Sequence, residues 1–303
     1  MGRGGEPAGF DATREHDGSA VSDPSKSTRE PSCALWGVLN VTPDSFSDGG
    51  RFLAIDAALA HARAMLAAGA DVLDVGGEST RPRGGTYGAG FAAVTLDEEL
   101  RRVIPVVERL AADGVCLSVD TTKPEVARAA LAAGARIVND VSCGMDAALL
   151  RVTAEAGAEL VLMHNRGNGE VSAATTTYAD LVADVLAELD AALERAVESG
   201  VQRARIWIDP GLGFAKTAPQ SLALLARTDA FVATGQRVLI GASRKSFLAE
   251  AAPDADGTRP MPSERLAATA IAVAHAARGG ARAVRVHDVR EMRQALSLAE
   301  ALR

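Results

Sequence analysis

Hydrophobic and polar positions follow one repeating pattern along the chain from residue 34 onward. A short β-branched run leads into a polar loop, and an alanine-rich segment with apolar positions three and four residues apart follows. Such runs predict buried strands, and the wider spacing predicts amphipathic helices. The predicted strands are 34–39, 71–76, 115–120, 136–140, 159–164, 205–209, 237–241 and 283–287. The predicted helices lie near 55–68, 95–112, 124–133, 146–156, 178–199, 219–232, 264–278 and 288–302.

Strict alternation of eight strands with eight helices predicts the fold class. A single α/β domain over residues 34–303, closed as a (β/α)8 TIM barrel, accounts for the number and order of the elements. An open doubly wound sheet is the alternative. It is disfavoured because no G-x-G-x-x-G turn follows the first strand.

The first 33 residues differ from the rest of the chain. They mix Gly, Pro, Ser and both charges without hydrophobic periodicity, and they contain no apolar stretch typical of a secretory signal. We expect residues 1–33 to form a disordered tail. No later apolar run reaches the ~18 residues of a membrane span, so no membrane partner is expected.

Charge and cysteine content narrow the functional class. The net charge is −7 and the pI is about 5.4, which argues against nucleic acid as a main partner. The three cysteines, Cys33, Cys116 and Cys143, are odd in number and lack C-x-x-C spacing. This usage favours a reducing cytoplasm without a disulfide framework or a thiolate zinc site.

Polar side chains gather where the predicted strands end. Working residues of a (β/α)8 barrel lie at the carboxyl ends of its strands. One such residue could be a helix cap, but polar residues at all eight ends predict a binding site. They are Asn40, Asp74, Asp120, Asn139, Asp140, His164, Asp209, Ser243, Arg244, Lys245, Arg285 and His287.

The residue types at this rim suit a flat, polar, anionic ligand. Asp and Asn can read the donor and acceptor edge of a heterocycle, and the guanidinium of Arg285 can lie on a ring face. His287, Arg285 and the segment "ESTRPR" form a candidate anion site, and Asn40 is a plausible ligand of Mg2+. No Ser-His-Asp order, H-E-x-x-H or Walker loop is present. The chemistry is therefore expected to rest on positioning and charge stabilisation.

Eight ordered segments resemble one known family. They are "GVLNVTPDSFSDGG", "DVGGESTRP", "SVDTTKPEVARAAL", "IVNDVS", "LVLMH", "IDPGLGFAKT", "GASRKSFL" and "RVHDVREM". Together they resemble the dihydropteroate synthases over residues 34–303. The resemblance implies a (β/α)8 barrel that condenses (7,8-dihydropterin-6-yl)methyl diphosphate with 4-aminobenzoate. The products would be 7,8-dihydropteroate and diphosphate, in folate biosynthesis.

The resemblance also implies roles for individual residues. Asn40 would bind the Mg2+ cofactor, which would bridge the diphosphate, and the polar loop after it, 42–50, would close over the leaving group. Lys245, Asp120 and Arg285 would be catalytic. The partners would be the two small-molecule substrates and a second copy of the chain in a homodimer. Sulfonamides would inhibit the enzyme. The residues implied to bind substrates are Thr80, Arg81, Asp120, Asn139, Asp209, Ser243, Lys245, Arg285 and His287.

Two departures from the family pattern bear on acceptor specificity and sulfonamide sensitivity, and two alternative functions stay open. The chain reads "STRPR" where many members read "STRPG", and the following loop, 83–94, is longer than the short form of the family. The resemblance places this loop beside the 4-aminobenzoate site. The alternatives are a non-catalytic or sulfonamide-resistant paralogue, and a pterin-binding methyltransferase domain. The second would not need the diphosphate-binding segments "SRK" and "RVH".

Overall fold

The structure is a computed structural model that describes residues 1–2, 33–41, 50–78, 94–167 and 171–302, the side chains of 50–54 excepted. Ser32–Arg303 form one compact unit. The predicted tail lies almost wholly outside the described residues. No helix within the described ranges combines the length and hydropathy of a membrane span.

Eight parallel strands pair in sequence order and close into a barrel, which confirms the predicted fold class. Trp36 on the first strand pairs with Val72 on the second and with Arg285 on the last, so the sheet has no free edge. The strands are β1 Ala34–Asn40, β2 Val72–Gly76, β3 Leu117–Asp120, β4 Ile137–Asp140, β5 Glu159–Met163, β6 Ile206–Asp209, β7 Arg237–Ile240 and β8 Ala283–Val286.

Helices surround the barrel. Many begin at a side chain that accepts from the first turn, as Asp146 does from Ala148 N at 2.7 Å. The helices are α1 Gly50–Ala67, α2 Leu96–Ala112, α3 Pro124–Ala132, α4 Ala147–Glu155, α5 Ala173–Thr176, α6 Leu181–Glu198, α7 Ala218–Ala226, α8 Thr228–Val232, α9 Ser246–Ala251, α10 Leu266–Arg278 and α11 Val289–Ala301.

Three helical details differ from the sequence prediction. The helix predicted over 219–232 is interrupted at Arg227, which ends α7 and precedes α8. Two short helices, α5 and α9, were not expected, and both are shorter than the stretch in which a helical period can be recognised. α1 begins at Gly50, earlier than predicted.

The side chains that point into the barrel form two successive levels, an apolar plug and a polar layer. The plug fills the barrel at the amino-terminal side, where the rings of Trp36 and Trp207 pack edge to face with centroids 5.4 Å apart. Two residues further along a strand, the next inward side chain lies closer to the carboxyl end. That position holds Asn139 after Ile137, Asp209 after Trp207 and Arg285 after Ala283. The apolar plug therefore lies directly below the polar layer that these three residues form.

Candidate active site

An open cavity lies at the carboxyl ends of the strands and gathers most of the predicted site residues. Nine of them line it, and they come from six strands or the segments that follow them. They are Asn40, Asp120, Asn139, Asp209, Ser243, Arg244, Lys245, Arg285 and His287.

Arg285 is held at the centre of this site by two carboxylates. Its Nε donates to Asp74 Oδ2 at 2.5 Å, and its NH2 group donates to Asp120 Oδ2 at 2.8 Å. Asn139 Nδ2 donates to the same Asp74 oxygen at 3.0 Å. Burial lowers the pKa of Arg285, but the charges of Asp74 and Asp120 outweigh it and raise that pKa. The guanidinium is therefore a fixed cation, oriented before any ligand arrives.

Asp120 keeps one oxygen available for a ligand. Its side chain is buried, yet its Oδ1 atom has no hydrogen-bond partner among the described residues. Burial raises the pKa of Asp120 to about 7, while the charge of Arg285 opposes the rise. A buried acceptor without a partner is costly. A ligand that donates an N–H group to Asp120 would remove that cost.

Asp209 and Lys245 are a second pair of opposite charges at the cavity, at the end of β6 and just after the neighbouring β7. Burial lowers the pKa of Lys245 to about 8, and the charge of Asp209 opposes this shift. Burial likewise raises the pKa of Asp209, with the charge of Lys245 opposing it. Lys245 Nζ donates to Leu212 O at 2.5 Å and lies 4.8 Å from the centroid of the Phe214 ring. Asp209 Oδ1 accepts from Gly211 N at 2.7 Å.

The loop after β6 requires glycine and a buried lysine. Gly211 has φ +67°, and a Cβ at this position would lie 1.9 Å from His164 O. Lys216 Nζ donates to Phe214 O at 2.9 Å and contacts His164 Nδ1 at 2.8 Å. Burial lowers the pKa of Lys216 to about 7. These contacts place the backbone of Gly213 and the ring of Phe214 at the cavity wall.

His164 lies behind the cavity, not in it. It is fully buried, and its Nε2 is 3.0 Å from Glu188 Oε2. Burial, together with the charge of Lys216, lowers the pKa of His164 to about 3, so the ring is neutral. With Nδ1 accepting from Lys216, Nε2 donates to Glu188. A polar residue at the end of a strand therefore need not line the cavity.

Two further strand-end residues have structural contacts. Asp140 accepts from Ser142 N and Gly144 N, each at 2.7 Å, and so shapes the turn after β4. Asp74 lies two residues before the end of β2 and holds Arg285 from below. Neither residue lines the cavity.

Ser243 and His287 join the ends of β7 and β8. The Ser243 hydroxyl accepts from His287 N at 3.1 Å and lies 3.1 Å from His287 Nδ1. Asn40, the last residue of β1, lines the cavity beside the end of β8, since these two strands pair. Thr80, Arg81, the polar loop at 42–49 and residues 83–93 of the longer loop lie outside the described residues.

Several cavity residues were not singled out from the sequence. Val38, Met163 and Gly241 line it because they occupy inward positions of β1, β5 and the end of β7. The period of two, counted up from the plug, would have identified all three. Phe214 and Ser246 depend on the folding of loops, and no periodic signal identifies them.

The fold and this pocket define a (β/α)8 barrel with a ligand site at the carboxyl ends of its strands, the usual place for barrel enzymes. The family model described as pterin binding enzyme matches residues 36–287. The dihydropteroate synthase of Mycobacterium leprae is 50% identical over 266 residues, which cover 86% of this chain and 90% of that protein.

Solved structures agree with this match. The Xanthomonas albilineans dihydropteroate synthase with 4-aminobenzoic acid is 43% identical, has a TM-score of 0.80, and the match covers 89% of this chain and 93% of that chain. The same organism's enzyme in complex with 7,8-dihydropteroate is 40% identical, has a TM-score of 0.77, and covers the same shares. The chain therefore belongs to the pterin-binding enzymes and, within them, to the dihydropteroate synthase family, as the eight segments predicted.

Proposed function

We propose that this protein condenses (7,8-dihydropterin-6-yl)methyl diphosphate with 4-aminobenzoate, giving 7,8-dihydropteroate and diphosphate for folate biosynthesis. The observation that carries the proposal is the pair of buried acceptors, Asp120 and Asp209, facing one cavity beside Lys245 and Arg285. A pterin presents several N–H donors and ring acceptors along its edges. Carboxylates, amides and cations placed at fixed positions can pair with all of them.

In the proposed complex, the pterin lies within the polar layer. Asp209 accepts from the guanidine-like edge, and Asp120 Oδ1 accepts from a ring N–H. Asn139 and Lys245 pair with the remaining ring atoms, and Arg285 covers a ring face. The diphosphate is directed toward the barrel mouth, where His287 is supported by Ser243. Thr80, predicted from the sequence, would add a hydroxyl there.

Mg2+ fits this donor set. The described residues contain no cluster of three or more His, Cys, Asp or Glu side chains that could hold a metal. Mg2+ usually keeps waters and takes one or two protein oxygens plus substrate phosphate oxygens. The carboxamide of Asn40, at the cavity wall, can supply one protein oxygen. Bound there, the metal would neutralise charge on the departing diphosphate.

The reaction itself needs little proton chemistry from the protein. The amino nitrogen of 4-aminobenzoate forms a bond to the methylene carbon attached to the pterin. The bond from that carbon to the ester oxygen of the diphosphate breaks, the electron pair leaves with diphosphate, and the new secondary amine loses one proton to solvent. Positive charge develops on the pterin and its methylene group as the bond breaks. Asp120 and Asp209 stabilise that charge electrostatically.

Before the reaction, 4-aminobenzoate binds at the outer part of the cavity, where Ser243 and, by the sequence prediction, Arg81 contact it. Sulfonamides, which share its aniline group, would compete there.

We also propose a cytoplasmic homodimer. The free cysteines fit a reducing compartment, and the exposed Ile271 and Leu298 of α10 and α11 are apolar side chains suited to an interface.

Complementation tests the proposed function in a cell. The gene should restore growth without added folate products to a bacterial host that lacks its own dihydropteroate synthase. A Lys245→Met variant expressed at the same level serves as the control and should restore little growth. Failure of the wild-type gene, with folded protein present in the cells, would contradict the proposal.

A further inference from the structure

Arg244 occupies a strained backbone conformation at the edge of the cavity. Its φ is +59°, in the left-handed region that residues with a Cβ seldom adopt. The residue lies between Ser243 and Lys245, and all three line the cavity. A relaxation of Arg244 to an ordinary conformation would turn both neighbours away from their present directions. Something must therefore hold this residue.

Three residues outside the cavity contact every polar group of Arg244. Its backbone N–H donates to Thr269 Oγ1 at 3.2 Å, and its carbonyl accepts from the Arg265 NH1 group at 2.7 Å. Its guanidinium pairs with Asp288 through two bonds, of which Nε to Oδ2 is 2.9 Å. We call Arg265, Thr269 and Asp288 the Arg244 bracket.

The bracket is itself rigidly placed. Thr269 is fully buried on α10, and Arg265 is buried just before this helix, where its Nε donates to Pro260 O at 2.9 Å. Asp288 directly precedes α11. The two helices pack against each other, so the contacts to Arg244 come from one continuous part of the outer layer.

The geometry points to a positioning role: the Arg244 bracket fixes the strained Arg244 backbone and thereby holds the Lys245 ammonium inside the site. The inference rests on the proposed function for its catalytic consequence, but the position of Lys245 can be measured without turnover. Asp209, Arg285, Asp120 and Lys216 are the charged groups that act on the Lys245 ammonium, and none of them belongs to the bracket.

Thr269→Val tests the inference because it removes the hydroxyl acceptor and keeps the shape of the side chain. Thr269→Ser keeps the acceptor and should behave as wild type. Thr153→Val is the matched control, since Thr153 is also fully buried on a helix and, among the described residues, its hydroxyl bonds only within that helix, to Leu149 O at 2.9 Å. Of these three variants, only Thr269→Val should raise the KM for the pterin diphosphate, by about fivefold.

The second readout is the Lys245 side chain itself. The chain has four lysines, so 13C labelling of the lysine ε-carbon gives few NMR signals, and Lys245→Arg assigns the one required. In wild type the pKa of Lys245 is lowered to about 8 by burial. In Thr269→Val it should move toward the ordinary lysine value, and it should stay low in Thr269→Ser and Thr153→Val.

A pair of substitutions at Arg244 tests the strain directly. Arg244→Gly and Arg244→Ala both lose the guanidinium, but only glycine accepts φ near +60° without a penalty. The glycine variant should therefore bind pterin diphosphate more tightly than the alanine variant. Equal binding, or an unchanged Lys245 titration in Thr269→Val, would overturn the inference. Absence of turnover in wild type would instead contradict the proposed function and leave the titration as the deciding measurement.

Discussion

Replacing Asp209 by Asn is the most informative single perturbation of the pterin site. Asp209 is buried at the end of β6, and one of its oxygens already accepts from Gly211 N at 2.7 Å. In Asp209→Asn the amide oxygen can retain that bond. The amide NH2 group then replaces the oxygen that faces the ligand and Lys245. This NH2 donor would face the N–H donors of the pterin and the ammonium of Lys245, and it would offer none of them an acceptor.

The cost follows from the unpaired groups. A buried donor left without an acceptor costs about 1–3 kcal/mol. Because about 1.4 kcal/mol corresponds to a tenfold change in Kd, pterin affinity should fall roughly 5- to 150-fold. Isothermal titration calorimetry with 6-hydroxymethyl-7,8-dihydropterin measures this loss directly, and circular dichroism checks that the variant is folded.

Asp146→Asn is the matched control for Asp209→Asn. It removes the same charge, but Asp146 caps α4 away from the cavity, and Asn caps a helix equally well. Its pterin affinity should equal that of wild type. If Asp209→Asn also binds pterin with wild-type affinity, Asp209 is only a support for the loop at Gly211, and the proposed orientation of the pterin is wrong.

Three further predictions concern the metal, the buried lysine and the order of binding. Asn40→Ala should reduce turnover at limiting Mg2+ far more than it weakens pterin binding, and equal losses in kinetic and calorimetric measurements would count against the metal assignment. The pKa of Lys216 is lowered from 10.5 to about 7, so between these values the unfolded chain binds a proton that the folded chain lacks. Stability should therefore rise across this window relative to Lys216→Met in urea titrations, and parallel curves would refute the burial effect. Finally, 4-aminobenzoate should bind measurably only once a pterin diphosphate or diphosphate is present; calorimetry showing equal binding to the bare protein would exclude an ordered mechanism.

The barrel was predictable because its signal is local and repeated. Each strand is a short apolar run, and each following helix has its own period, so errors at single boundaries left the order of elements unchanged. The polar layer was predictable for a related reason. Asp120, Asn139 and Asp209 lie at strand ends, and parallel strands bring those ends to one rim.

Contacts between distant parts of the chain could not be predicted in this way. Lys216 contacts His164 across 52 residues, and burial together with this contact keeps the histidine ring neutral. The conformation of Arg244 depends on contacts 21 to 44 residues away, and no sequence pattern places an arginine at positive φ. Both features are set by tertiary packing.

Turnover by the purified protein tests the central claim most directly. The full chain, with Mg2+, (7,8-dihydropterin-6-yl)methyl diphosphate and 4-aminobenzoate, should release diphosphate and form 7,8-dihydropteroate in equal amounts, as measured by a coupled phosphate assay and by chromatography. Lys245→Met should lower both products together. Pterin binding by calorimetry without formation of either product would contradict the account and identify the chain as a pterin-binding protein without synthase activity.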